Sequence, residues 1–187
     1  MTAARSTNLI DRASALLVFA LAACTPVLRE PGVAKGHELA SMTVTSKDFS
    51  QSGRIPIDQS CDGRDRLPDL TWSAPPEGTR SIVIVIDDPD APNGTFTHML
   101  LYNIGAEIHR LGADKPIEGA RFGTNDMGAV HYSGPCPPRG EAHRYRFRVI
   151  AVDVPLDVRE GLTRAEVDTA MDGHLLGEGA LTGIFGH

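Results

Sequence analysis

The 187-residue sequence has no surplus of positive charge: 18 Lys and Arg stand against 24 Asp and Glu, for a formal net charge of -6. Such a chain has no diffuse attraction for a phosphate backbone, which excludes general nucleic-acid binding but leaves local anion sites open. It also lacks an apolar run long enough to cross a bilayer. The N-terminal run at residues 13–23 would span, as a helix, roughly half of a ~30 Å hydrocarbon core. Cysteine is scarce, with 3 in the chain, and no two have the close spacing of a zinc-binding pair. No internal repeat, P-loop, dinucleotide-binding glycine fingerprint or Gly-x-Ser-x-Gly elbow is present, so no motif supports nucleotide chemistry or an α/β-hydrolase. What the chain does have is 19 Gly and 13 Pro, about one residue in six. That argues for many turns and against a helical bundle or coiled coil, without reaching the range of disorder. The length suits one domain with a sizeable core.

The first residues form a separate unit of meaning. Arg5 and Arg12 precede the apolar run, which ends in Leu21-Ala22-Ala23-Cys24. Charged start, short apolar stretch and small residues make the layout of a signal peptide. The tetrapeptide resembles the bacterial lipobox, in which the cysteine is acylated and the chain is cut before it. The expectation is a lipoprotein signal peptide over residues 1–23 and an acylated Cys24 anchoring the protein to the extracytoplasmic side of a bacterial cell membrane. A flexible tether over 24–39, rich in Pro and Gly, and a domain over 40–187 would follow. With Cys24 given to lipid, Cys61 and Cys136 remain in an oxidising compartment, either as a disulfide or as two separate buried thiols.

About seven short stretches of strand character follow one another. Residues 42–49 alternate loosely, 70–72 form a brief apolar piece, and 81–86 are continuous and β-branched, as in a strand buried on both faces. Residues 98–104 and 144–152 complete the main set. In the last of these Tyr145, Phe147 and Val149 point one way and Arg144, Arg146 and Arg148 the other, which predicts a solvated arginine face. Thr163 and Glu166 make a capping box for one helix, which Gly173 stops. A second short helix is expected from residue 174 to 180, weakened by Gly177 and Gly179.

Polar chemistry collects beside these strands. Asp87, Asp88 and Asp90 follow the most apolar strand, where a lone buried carboxylate would be costly. His98 opens another strand. Tyr132-Ser133-Gly134-Pro135-Cys136-Pro137-Pro138 leads to His143 and Tyr145, which share a face if both lie in a strand. An Asp, two His and a Tyr beside a Pro/Gly loop would make a small polar pocket suited to a phosphate or carboxylate group.

These segments resemble the signature of the phosphatidylethanolamine-binding protein (PEBP) family, in its bacterial Raf kinase inhibitor-like branch. The resemblance rests on Asp88-Pro89-Asp90-Ala91-Pro92, His98 with the strand ending in Asn103, Gly134-Pro135-Cys136-Pro137-Pro138 and His143-Arg144-Tyr145. Supporting pieces are Cys61-Asp62-Gly63, Trp72 and Gly173-His174, so that it spans roughly residues 40 to 185. It implies a mainly β fold, a PEBP-like antiparallel β-sandwich with short peripheral and C-terminal helices, and an anion pocket near one end. By carry-over Asp88, Asp90, His98, Gly134, Pro135, His143 and Tyr145 bind the ligand. His98, His143 and Tyr145 would donate to the anion, Asp88 would orient a histidine, and the loop from Pro135 to Pro138 would shape the rim. Phe96 stands where relatives commonly carry Trp, and Ser133 where bacterial ones often carry Gly. The expected function is non-catalytic binding of an anionic or phosphorylated small molecule such as a phospholipid head group, without cofactor or resident metal. Alternatives from other classes are a hydrolase using Ser133 with a histidine and Asp88, an inhibitor of an extracytoplasmic partner, and a metal site of His98, His143 and Asp88.

Overall fold

The computed structural model describes residues 38–113, 116–156 and 159–187. The expected signal peptide, Cys24 and most of the tether lie outside them. In chain order the strands are β1 (Ala40–Ser41), β2 (Val44–Ser46), β3 (Gly53–Arg54), β4 (Leu70–Trp72), β5 (Ser81–Asp88), β6 (Phe96–Ile104), β7 (Arg110–Leu111), β8 (Arg121–Phe122), β9 (Ala142–Val152) and β10 (Leu175–Gly186). One α-helix among the described residues, α1 (Arg164–Met171), lies between β9 and β10. No helix among the described residues is long and apolar enough to cross a membrane.

The large sheet runs β1-β10-β9-β5-β6-β8, with β3 also paired to β10, and the small sheet runs β2-β4-β7. Val44, Leu70 and Trp72 of the small sheet meet Ile84, Met99 and Phe147 of the large one in the main core, which makes the fold a mainly β sandwich. The other face of the large sheet carries a second core, where Val83, Val85, Leu100 and Tyr102 lie under Leu162 and under Val167 and Met171 of α1. β5 is shared by both cores: Ile82, Ile84 and Ile86 enter one and Val83 and Val85 the other. Its continuous apolar sequence is the consequence of having no wet face. α1 begins where the sequence places it, with Thr163 and Glu166 forming the reciprocal capping box.

Three expectations are corrected. Residues 174–180 are not a second helix but, from Leu175 on, part of the strand β10, so that α1 is the one C-terminal α-helix among the described residues. A Cβ on Gly177 would lie 2.8 Å from the Ala40 carbonyl oxygen, and one on Gly179 would lie 2.2 Å from that of Met42. These glycines are therefore inward-facing strand positions that let the chain around β1 approach β10. The sandwich is also not wholly antiparallel, since β1 and β3 both run parallel to β10. Finally, the arginine face of β9 is not simply solvated. Arg146 Nε donates to the fully buried Asp87 Oδ1 at 2.7 Å, Arg148 Nε to Glu178 at 2.6 Å, and Arg144 to Asp90 at 2.6 Å. Arg148 and Arg164 approach the other Asp87 oxygen at 3.9 and 3.7 Å. A buried carboxylate beside three guanidinium groups satisfies the rule that buried charge must be paired.

Candidate functional site

The antiparallel register brings the end of β5 beside the beginnings of β6 and β9, since Asp88 pairs with Phe96 and Asp87 with Arg146. A cavity of about 610 Å³ opens at this edge, lined by Asp88, Phe96, His98, Gly134, His143 and Tyr145. Pro137, Pro138 and Met127 complete its rim. His143 and Tyr145 reach it together because strand parity puts them on one face of β9. His98 needs a different device. Met99 pairs with Ile86 and Thr97 with Asp87, so His98 is an extra residue at a bulge. A bulge of this kind re-aims a side chain across the sheet. The His98 ring consequently stands between Phe96, at 5.0 Å between centroids, and Tyr145, edge-on at 5.3 Å.

The surroundings push the two histidines in opposite directions. Asp88 Oδ2 accepts from His143 Nδ1 at 2.7 Å, and Glu141 Oε2 lies 3.2 Å from His143 Nε2. Burial opposes a charge on His143, but the hydrogen bonds and negative charges of Asp88 and Glu141 outweigh it and raise its pKa above 6.5. The ring is thus held as a good donor. His98 Nδ1 faces the Ser133 carbonyl at 2.7 Å. A carbonyl only accepts, so Nδ1 carries the hydrogen and the neutral ring keeps its lone pair on Nε2. Burial, opposed by the Ser133 bond and by the charges of Asp88, Asp126 and Asp87, lowers the His98 pKa. Burial, reinforced by the charge of Asp88, also raises that of Tyr145, keeping the phenol protonated. One wall of the cavity therefore carries an imidazole favoured in its charged form, a phenol donor and an imidazole favoured in its neutral form. The expectation that His98 donates is revised: its N–H is already given to Ser133.

The remaining expected residues divide. Gly134 lines the cavity, but its N–H donates to Asp65 Oδ1 at 3.0 Å. A Cβ there would lie 2.4 Å from that oxygen, so glycine is required for the close approach. Asp90 and Pro135 do not line the cavity. Asp90 accepts from the Arg144 backbone and guanidinium, which hold its carboxyl well below the usual range, and the Pro135 carbonyl accepts from the Cys61 N–H at 3.1 Å. Cys136 lies on the rim in a disulfide with Cys61. Ser133 Oγ accepts from the Asn125 amide at 2.9 Å. Asn125, buried, also donates to the carbonyls of His98 and His131 and accepts from the N–H of Met127 and Ala129. Asn125, Asp126 and Glu141 escaped the sequence reading. Asn125-Asp126-Met127-Gly128 reads as an ordinary turn, and Glu141 as a loop charge.

A family model described as phosphatidylethanolamine-binding protein matches residues 45–186. A UPF0098 protein of Aquifex aeolicus is 42% identical over 152 residues, covering 78% of this chain and 89% of its own. Another, from Methanothermobacter thermautotrophicus, is 40% identical over 149 residues, covering 77% and 98%. The crystal structure of a phosphatidylethanolamine-binding protein homologue from Chlamydia trachomatis is 35% identical, with a TM-score of 0.74 over 79% of this chain and 98% of that one. YbcL of Escherichia coli, described as a member of the mammalian PEBP family, is 28% identical with a TM-score of 0.73, over 79% and 99%. The matched region takes in β5, β6, β9 and the rim loop, so the cavity is built from the shared part of the fold, and this chain belongs to the phosphatidylethanolamine-binding protein family.

Proposed function

We propose that the protein is a non-catalytic binding protein for a small anionic or phosphorylated ligand of the phospholipid head-group type, anchored to the membrane by lipid on Cys24. The observation that carries the ligand reading is the convergence of His98, His143 and Tyr145 on one cavity, with His143 bonded to a carboxylate and His98 to a carbonyl. The His143 ring and the Tyr145 phenol donate to phosphoryl oxygens. The lone pair on His98 Nε2 accepts the O–H of a monoprotonated phosphate. The ligand displaces Glu141, whose exposed carboxylate pairs with His143 in its absence. Asp126, also on the cavity wall, suits an ammonium such as that of ethanolamine.

Hydrolysis is disfavoured by the surroundings of Ser133, whose hydroxyl is engaged by Asn125 while its carbonyl, not its hydroxyl, meets His98. The test is a ¹H and ³¹P NMR titration with inorganic phosphate and phosphoethanolamine. Ligand-dependent shifts are expected at His98, His143 and Tyr145 and are lost in His98→Ala/His143→Ala; equal responses from both proteins would refute the pocket. Intact mass of protein taken from its native membrane tests the anchor: a diacylglyceryl mass on a chain starting at Cys24 is expected, and an unmodified Cys24 refutes it.

A further inference from the structure

Beside the rim residues Cys136 and Pro137, a second group of side chains, from residues that do not line the cavity, converges from three distant parts of the sequence. Cys61 Sγ, an Asp62 carboxylate oxygen and a His187 ring nitrogen all lie within 4.8 Å of one another. Cys136 is joined to Cys61 and so brings a second sulfur, the two Cα atoms being 5.4 Å apart. These are a soft and borderline donor set, two sulfurs with one imidazole and one carboxylate, of the kind that takes zinc-class cations at about 2.0–2.3 Å.

His187 is held in place from both sides of its ring. Its Nε2 lies 2.9 Å from the Pro137 carbonyl oxygen, and since that oxygen can only accept, Nε2 donates. This is the outer bond that metal-ligating histidines almost always make, and it turns the other nitrogen toward the ligand position. Nδ1 meets Asp62 Oδ2 at 2.6 Å, a bond that a cation shared by both atoms would replace. Phe185 packs edge-on against the His187 ring, with centroids 5.9 Å apart, and fixes its plane. Asp62 is held by its own N–H, which donates to Ser60 Oγ at 3.2 Å. Cys61 and Asp62 are exposed, so both a reductant and an ion can reach the group.

We propose that reduction of the Cys61–Cys136 disulfide by a dithiol creates a four-ligand site for a thiophilic divalent cation of the zinc class, made by Cys61, Cys136, Asp62 and His187. The disulfide takes two electrons and two protons from the dithiol, which becomes a disulfide; cation binding then displaces to solvent the two thiol protons and the proton held between His187 Nδ1 and Asp62 Oδ2. The cation re-closes the loop that the S–S bond had closed, and because Cys136 and Pro137 both belong to the cavity rim, it holds that rim in the reduced protein. The inference does not depend on what the cavity binds.

The experiment is a Co²⁺ titration of purified protein, reduced with a dithiol and desalted under argon. Reduced protein is expected to give a thiolate-to-cobalt charge-transfer band and tetrahedral visible bands that saturate at one ion per chain and are displaced by Zn²⁺. The oxidised protein gives neither. His187→Ala and Asp62→Asn are each expected to weaken the reduced site by about 10-fold or more. Asp62→Asn keeps the shape of an exposed side chain, so the test survives a misfolded alanine variant. Cys61→Ser/Cys136→Ser, which retains Cys24, is expected to give no such band. A reduced protein without a saturating band, a double serine variant that keeps it, or unchanged affinity in both single variants would overturn the proposal.

Discussion

Residues of one type carry different chemistry at this site because their second partners differ. His143 has carboxylates on both nitrogens, whereas His98 has a carbonyl on one, and only the first is pushed toward the charged form. The raised folded pKa of His143 has a defined consequence for stability. The folded state binds this proton more tightly than the unfolded chain, so the stabilisation is complete below the ordinary value of 6.5 and is lost as pH rises through the folded value. Urea midpoints at about pH 5.5 and about pH 8.5 measure it. The Asp88→Asn variant is expected to lose part of the decline on going to the higher pH; an unchanged pH profile would show that Asp88 does not set the charge of His143. The sequence exposed the pairing of His143 with Tyr145 through strand parity and marked Asp88 and His98 as polar residues beside apolar strands, while the resemblance supplied their roles in one pocket. Parity alone would set His98 with Leu100 and Tyr102, on the face of the second core, because a bulge leaves no mark in the order of residues. Glu141 was illegible for a related reason: what it faces is fixed by the loop, not by its type.

Elements were legible in proportion to how far side chains, rather than backbone, define them. β5, with isoleucine and valine on alternate faces, and α1, with a reciprocal cap, follow directly from their residues. β10 did not, because its inward positions include Gly177, Gly179 and Gly183, which carry no apolar side chain to reveal an alternation. Here the absence of a side chain is the packing feature. Met42 N–H donates to the Glu178 carbonyl at 2.9 Å, and the Met42 carbonyl oxygen sits over Gly179. Gly179→Ala would place Cβ against backbone atoms that cannot rotate away, so a loss of about 1–3 kcal/mol in unfolding free energy is expected. Ala180→Ser, on the exposed neighbour in the same strand, is expected to stay within about 0.5 kcal/mol. Chemical denaturation of the two variants separates the readings: equal stabilities would mean that the chain at Met42 yields without cost.

At the scale of the whole molecule, the cavity rim is secured by a segment far away in sequence. Besides the Cys61–Cys136 bond, the Cys61 N–H donates to the Pro135 carbonyl, the Gly134 N–H to Asp65, and the Tyr132 hydroxyl to the Gln59 carbonyl at 2.9 Å. Cysteine counting left the two thiols bonded or separate, because no spacing rule reports the approach of residues 75 positions apart. The length of the closed loop sets the expected effect of the bond. Constraining such a loop in the unfolded chain is worth about 4 kcal/mol, less whatever structure the unfolded chain retains. Cys61→Ser/Cys136→Ser, measured in urea, is expected to lose about 2–4 kcal/mol. The three hydrogen bonds remain in that variant, so the cavity is expected to persist and to give the same ligand-dependent shifts at His143 and Tyr145. An unchanged urea midpoint would mean that the rim is held by those hydrogen bonds alone. A lowered midpoint with the shifts abolished would instead make the disulfide part of the binding site's own geometry.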